Sequence, residues 1–342
     1  MSMTENELML YNTLSGLHLL EKAPKAQVIS DLIGIQAQFS MNPKLSLMLR
    51  ASDYTEDGWD DGLCKIWSHR GTMHVVTEEE AALHLSALAY PREFTDGAWQ
   101  IPKADADYWS RFIIDEIVSG NRSRAGLKQA CLDKGIREAL CDRVFYGWGG
   151  LIAEMVVRGQ IVCGTGTEKE YAVPQKMDLI PRDDARRVML RRYFEHFGPA
   201  TAADCRYFFG RWKKPDTDPL LEEILPELEQ TKIGGKVYYH KAPLKEGALP
   251  DCLFVPGFDQ MILGYKERGR MVDEENRGKL TNISGIICPS VLLRGRLRAK
   301  WKLGKNVLTI TPFEKLLKKD ETAVKRRAAL CFGKTVAVRF EP

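Results

Sequence analysis

Two glutamines, Gln36 and Gln38, stand one residue apart in GIQAQFS, and a second polar cluster, SHRGTMH, brings Ser68, His69, Arg70, Thr72 and His74 together. A neutral amide is no useful proton acceptor, so a glutamine pair can orient a water molecule or stabilise developing positive charge but cannot deprotonate anything. Other catalytic patterns are missing: the sequence has no GxxxxGK[ST], HExxH or GxSxG, and the GTG at 164–166 lacks the strand-then-helix setting of a dinucleotide fingerprint. Any enzyme here works by acid–base or electrostatic means without a cofactor, and no metal-ligand spacing is present. Taken singly, each histidine reads first as a hydrogen-bonded structural residue and each glutamine as an ordinary helix-surface residue. Their coincidence in one stretch of chain makes a site worth expecting.

Gln36 and Gln38 close what reads as an amphipathic helix, KAQVISDLIGIQAQ, that starts after Pro24. On a regular helix residues i and i+2 point about 200° apart, so both amides meet one ligand only if helical geometry fails near Gln36 to Phe39. Ser40 and the Asn42–Pro43 turn would end the segment. A helix over NELMLYNTLSGLHLL precedes it and another over NPKLSLMLRAS follows. KIWSHRGTMHVV reads as a strand, in which Arg70, Thr72 and His74 would share a face. Thr77 and Glu80 then have capping-box spacing at the start of TEEEAALHLSAL.

Three helices and a strand are the pattern of a winged helix-turn-helix, and the order recurs. SRAGLKQACLDKG, FYGWGGLIAEMVVRG and QIVCGTGTEKEYAV read as helix, helix and wing, while DARRVMLRRYFEHFG, PATAADCRYFFG, LLEEILPELEQ and KIGGKVYYH repeat the theme. From about residue 250 short strands and turns take over. The expected fold is therefore α+β, with about three tandem winged-helix modules (1–90, 91–180 and 181–245) and an antiparallel β-barrel-like domain over 246–342.

The net charge of +4 conceals an asymmetry, because residues 286–342 hold 14 Lys and Arg against four acids. Arg294, Arg296, Arg298, Lys300 and Lys302 recur at period two around the hairpin turns Arg294–Gly295 and Leu303–Gly304, opposite Leu297, Ala299 and Trp301. Such a basic strand face suits a polyanion such as nucleic acid, or it is simply solvated. Eight scattered cysteines with no CxxC read as reduced packing thiols. The acidic start, MSMTENELML, and the lack of a long apolar run predict a cytoplasmic protein with no membrane partner.

The stretches LIGIQAQFSMNPKLSLMLR, W-SHRGTMHVV, HFGPATAADCRYFFG and LFVPGFDQMILGYKER together resemble the AlkZ/YcaQ-type bacterial DNA glycosylases over nearly the whole chain. The resemblance implies a winged-helix scaffold with a C-terminal barrel, catalysis by Gln36 and Gln38, and DNA contact by a basic hairpin carrying Arg294, Arg296, Arg298 and Lys300. Gln38 matches the AlkZ branch, where YcaQ-type members carry Asp. His69 stands where the family usually has an apolar residue, which bears on substrate range. The implied reaction is monofunctional hydrolysis of the N-glycosidic bond of cationic alkylated purines (N7-alkylguanine, N3-alkyladenine) or unhooking of guanine-N7 interstrand crosslinks. The implied partner is double-stranded DNA, met by a monomer, with His69, Arg70, Thr72 and His74 binding DNA or supporting the site. The alternative is a non-catalytic winged-helix DNA-binding protein or transcription regulator; an RNA-binding module lacks any aromatic signature.

Overall fold

In the computed structural model, which describes residues 3–88, 90, 91, 93–147, 149–166, 168–282 and 285–341, Thr4 opens the first helix, Glu5–Gly16, with a capping box. Its hydroxyl accepts from the Glu7 N–H while the Glu7 carboxylate accepts from the Thr4 N–H. Trp148 and Thr167, which fall inside two of the expected elements, and Ile283 and Ser284 in the expected C-terminal domain lie outside the described residues. The chain divides into two compact units, Met1–Trp59 with Val188–Pro342, and Asp60–Arg187. The first expected module, 1–90, thus spans a division between units. Both units mix helix and sheet, as the α+β reading anticipates.

In the first unit, Glu5–Gly16 is followed by helices Lys25–Asp31 and Met41–Arg50. After the last residues of helix Arg182–His196 come Ala202–Phe209 and Lys214–Ile224. Thr201, two residues beyond Pro199, caps the middle one, and Asp204 completes the reciprocal pair. A two-residue turn at Gly234 and Gly235, both with positive φ, joins strands Glu229–Ile233 and Lys236–His240.

The C-terminal region is where expectation and structure part. Its five strands lie in the order Ala337–Phe340, Val307–Pro312, Arg296–Leu303, Ser290–Leu293, Cys252–Val255, an open sheet and no closed barrel. The reason is the basic helix Lys318–Phe332, which carries the chain back so that Ala337–Phe340 joins the edge in parallel. That helix covers one face: Val324 and Ala328 pack with Phe254 and Trp301, and the Phe332 ring sits 5.5 Å from Trp301. A covered face removes the need for closure to bury it.

The second unit begins with hairpin strands Leu63–Trp67 and Met73–Thr77 and helix Ala81–Leu88. A helix without a counterpart in the sequence reading, Lys103–Val118, precedes Arg124–Asp133, Glu138–Val144 and Gly150–Val157. The middle one, Glu138–Val144, turns the expected helix, helix, wing into three helices before the hairpin Val162–Cys163/Tyr171–Ala172. Ile113, Leu127, Cys131, Val144 and Met155 form the centre of this unit's core. Among the described residues no helix is long and apolar enough to cross a membrane.

One buried ion pair holds the first unit's N-terminal and C-terminal parts together. Arg50, at the end of helix Met41–Arg50, sets Nη2 2.7 Å from Asp259 Oδ1, with both side chains fully buried. Its Nε donates to the Leu17 carbonyl and its Nη1 to Ser46 Oγ. Removing one partner of such a pair strands a charge in the interior, which costs about 3–5 kcal/mol. Asp259→Ala should therefore lower unfolding free energy by that amount in urea titrations, and a loss well under 1 kcal/mol would show that water reaches the guanidinium.

Candidate active site

Helix Lys25–Asp31 stops five residues before Gln36, so the expected helix through Gln38 is not formed. Ile33 and Gly34 both take left-handed backbone, φ 56° and 77°, and their N–H groups donate back to Ser30 and Ile29 carbonyls. Two such residues in succession reverse the chain. Ile35–Gln36 then runs extended and the chain bends at Gln38. Gln38 thus lies beyond the extended pair, at a bend, so neither helical nor strand periodicity governs how the two amides are disposed.

The two amides differ in exposure: Gln36 is 3% exposed, whereas Gln38 is open to solvent. The Gln36 Oε1 atom is buried without a hydrogen-bond partner among the described residues. A buried acceptor left unmade costs about 1–3 kcal/mol, which a water or ligand would recover. The loop is held from below by Gln260, whose Nε2 donates to the Gly34 carbonyl at 2.7 Å in a buried position. Neighbouring Asp259 holds Arg50 at the far end of the next helix. Two consecutive residues of VPGFDQM thus fix the glutamine loop and the helix that follows it. Neither they nor Arg50 was picked out as a site residue; the only signal was a charged residue closing the otherwise uncharged run LSLMLR.

The basic hairpin belongs to the same unit. Strand Arg296–Leu303 buries Leu297, Ala299 and Trp301 and exposes Arg298 and Lys302, with Lys300 half-buried, as its alternation predicts. Arg294 is not on that strand: with Gly295 it forms the preceding turn, φ 46° and 79°. It pairs with Asp320 at 2.9 Å, and Arg296 pairs with Asp273 at 3.5 Å. Arg298, Lys300 and Lys302 have no ion pair among the described residues, so the free positive charge lies further along the strand than the sequence suggested. A cavity of about 550 Å³ lies between this hairpin and the start of helix Met41–Arg50, lined by Met41, Asn42, Lys300, Lys302 and Leu303 among others.

SHRGTMH lies in the second unit and is not one strand. His69–Gly71 form a tight turn between strands Leu63–Trp67 and Met73–Thr77, because Arg70 and Gly71 take left-handed backbone, φ 63° and 67°. The expected shared face of Arg70, Thr72 and His74 does not exist. Instead His69 and His74, ring centroids 4.2 Å apart, cluster with His84, and all three are buried. His84 Nδ1 meets Ser68 Oγ at 2.8 Å. His74 Nδ1 lies 3.0 Å from the Thr72 carbonyl, which can only accept, so that nitrogen carries the proton. Thr72 Oγ1 is buried without a hydrogen-bond partner among the described residues. His84 was missed; a polar residue inside AALHLSAL was its one trace.

Burial, with His74, His84 and Arg70 beside it, pushes His69 well below the usual imidazole value, and burial lowers His74 to about 4. Both are neutral when folded at pH 7, so as pH falls the unfolded chain takes up their protons first. Their contribution is complete above the ordinary imidazole value and is lost as pH drops below it. From His74 alone, unfolding free energy should fall by about 2 kcal/mol between pH 7 and pH 5, and His69 acts in the same direction. Urea titrations of wild type and His74→Gln check this, the variant showing a smaller loss of stability on acidification.

Comparison with known proteins follows the same residues. The model of the family described as "DNA glycosylase AlkZ-like" matches residues 29–331. An "Interstrand DNA cross-link repair glycosylase" of Streptomyces sahachiroi is 24% identical over 346 aligned positions, covering 89% of each chain. The solved structure of the Streptomyces sahachiroi DNA glycosylase AlkZ shares the fold, with a TM-score of 0.78 at 20% identity over the full length of both chains. The match spans the glutamine loop, the SHRGTMH turn and the basic hairpin, and the chain belongs to the AlkZ-like DNA glycosylase family.

Proposed function

We propose that the protein is a monofunctional glycosylase that hydrolyses the N-glycosidic bond of cationic alkylated purines in double-stranded DNA, N7-alkylguanine and N3-alkyladenine among them, or unhooks guanine-N7 crosslinks. The observation that carries this reading is the pair of amides on one short loop, one buried with an acceptor that has no partner among the described residues and one exposed. Bond cleavage at C1′ passes through an oxocarbenium-like state. The Gln36 and Gln38 oxygens can stabilise that charge and orient the attacking water, and rigid support from Gln260 keeps their geometry from being lost to solvent motion. Amides are weak catalysts, so the substrate must supply a good leaving group. A purine carrying positive charge departs as the neutral base and meets that demand.

The protein would meet DNA as a monomer. Winged-helix modules are the proposed frame: three helices and a hairpin recur over 182–240 and over 124–172. The exposed Arg298 and Lys302 and half-buried Lys300, in the same unit as the glutamine loop, would take phosphates. His69 and His74 would support the local fold, since a buried neutral imidazole cluster cannot bind phosphate by charge, and the half-buried Arg70 and Thr72 would bind DNA or support the site.

Incubation with duplex containing N7-methylguanine should release the free base. Gln36→Ala and Gln38→Ala should each slow single-turnover excision by about 100-fold while duplex affinity stays near wild type. Equal loss of binding and excision would make the glutamines DNA-positioning residues, and specific binding to an undamaged sequence without base release would favour a regulator. Neutralising Arg298, Lys300 or Lys302 should flatten the dependence of log affinity on log salt by about 0.9 for each charge removed. Arg294→Ala and Arg296→Ala, already paired with carboxylates, should change it less; a larger effect would show that DNA displaces those partners.

A further inference from the structure

Phe39 follows Gln38 directly and is 45% exposed, and Met41 is 54% exposed. Large apolar side chains gathered at a loop tip beside a candidate site mark a surface with something to cover it. The Phe39 ring stacks on Phe258, centroids 5.7 Å apart and planes 22° from parallel. Phe258 itself holds a left-handed backbone, φ 54°, a conformation costly for a bulky residue. Contacts on either side of it hold the backbone in place. A Cβ on Gly257 would lie 3.1 Å from the Ile287 carbonyl and 3.2 Å from Asn42 Oδ1, the Phe258 N–H donates to that same carbonyl, and Asp259 is locked to Arg50. The backbone that carries the backing ring is therefore held on both sides, and the Asn42 N–H anchors the Phe39 carbonyl at 3.1 Å.

We propose that Phe39, backed by Phe258, is the recognition platform for the alkylated base, stacking on a purine that carries positive charge. The inference rests on the glycosylase reading above. An aromatic face is electron-rich and attracts a cation, whereas it holds a neutral base by stacking alone. During cleavage the charge leaves the base for the sugar, so the platform favours bound substrate over the departing product. Its effect belongs in affinity and discrimination, and it hands the chemical step to Gln36 and Gln38.

The test compares wild type, Phe39→Leu and Phe39→Trp on a duplex bearing 2′-fluoro-N7-methylguanine and on the same duplex undamaged. The fluorine disfavours the oxocarbenium-like state and keeps the cationic lesion intact during binding. Phe39→Leu, with similar apolar bulk and no π face, should lose about tenfold of the preference for the lesion, and Phe39→Trp should keep it. On ordinary N7-methylguanine DNA, Phe39→Leu should raise KM while excision at saturating enzyme stays near wild type. An unchanged preference in Phe39→Leu, or equal weakening on both duplexes, overturns the platform. A wild type that releases no base overturns the glycosylase reading and the platform with it, whereas a wild type that releases base alongside an unaltered Phe39→Leu overturns the platform alone.

Discussion

The contact on which the glutamine loop depends is the buried ion pair between Arg50 and Asp259, two fully desolvated groups 2.7 Å apart. A pair of this kind contributes little net stability over an apolar substitute, since desolvation offsets most of the attraction. What it contributes is position. Arg50 ends the helix that follows the loop, Asp259 begins the turn whose next residue, Gln260, grips the Gly34 carbonyl before the loop, and neither can shift without stranding a charge. The start of the loop and the far end of the helix that follows it are held by consecutive side chains more than 200 residues away in sequence.

That rigidity matters because of what the loop carries. Carboxylates tolerate imprecise placement, since a charge acts over distance; an amide dipole falls off faster and must be aimed. A site built from Gln36 and Gln38 has only geometry to offer. The same pinning explains the left-handed backbone at Ile33 and Phe258, which would relax in a looser frame.

The hairpin and the histidine cluster show charge being sorted by burial. On strand Arg296–Leu303 alternate residues go to opposite faces, so cations stay in water while Leu297, Ala299 and Trp301 enter the core. Carboxylates from other elements then neutralise Arg294 and Arg296 and leave the more distal cations free. In the second unit, His69 and His74 are taken out of water altogether, and they remain there by being neutral.

The sequence by itself determined the features set by local rules. Period-two alternation foretold the faces of strand Arg296–Leu303, turn residues foretold the hairpins at Arg294–Gly295 and Gly234–Gly235, and the spacing of Thr77 and Glu80 foretold the cap in which Thr77 Oγ1 accepts from the Glu80 N–H. The order of motifs was enough to name the family and to single out Gln36 and Gln38. The tertiary structure decided everything that rests on distant partners. Helical propensity in VISDLIGIQAQ runs past Asp31, yet the helix ends there because Ile33 and Gly34 are held left-handed in a packed loop whose Gly34 carbonyl is claimed by Gln260. β-propensity runs through SHRGTMH, yet a turn interrupts it and gathers His69, His74 and His84. The barrel became an open sheet because a helix arrived to cover its face. In each case a contact across many residues outweighed a local preference of a few tenths of a kilocalorie per residue.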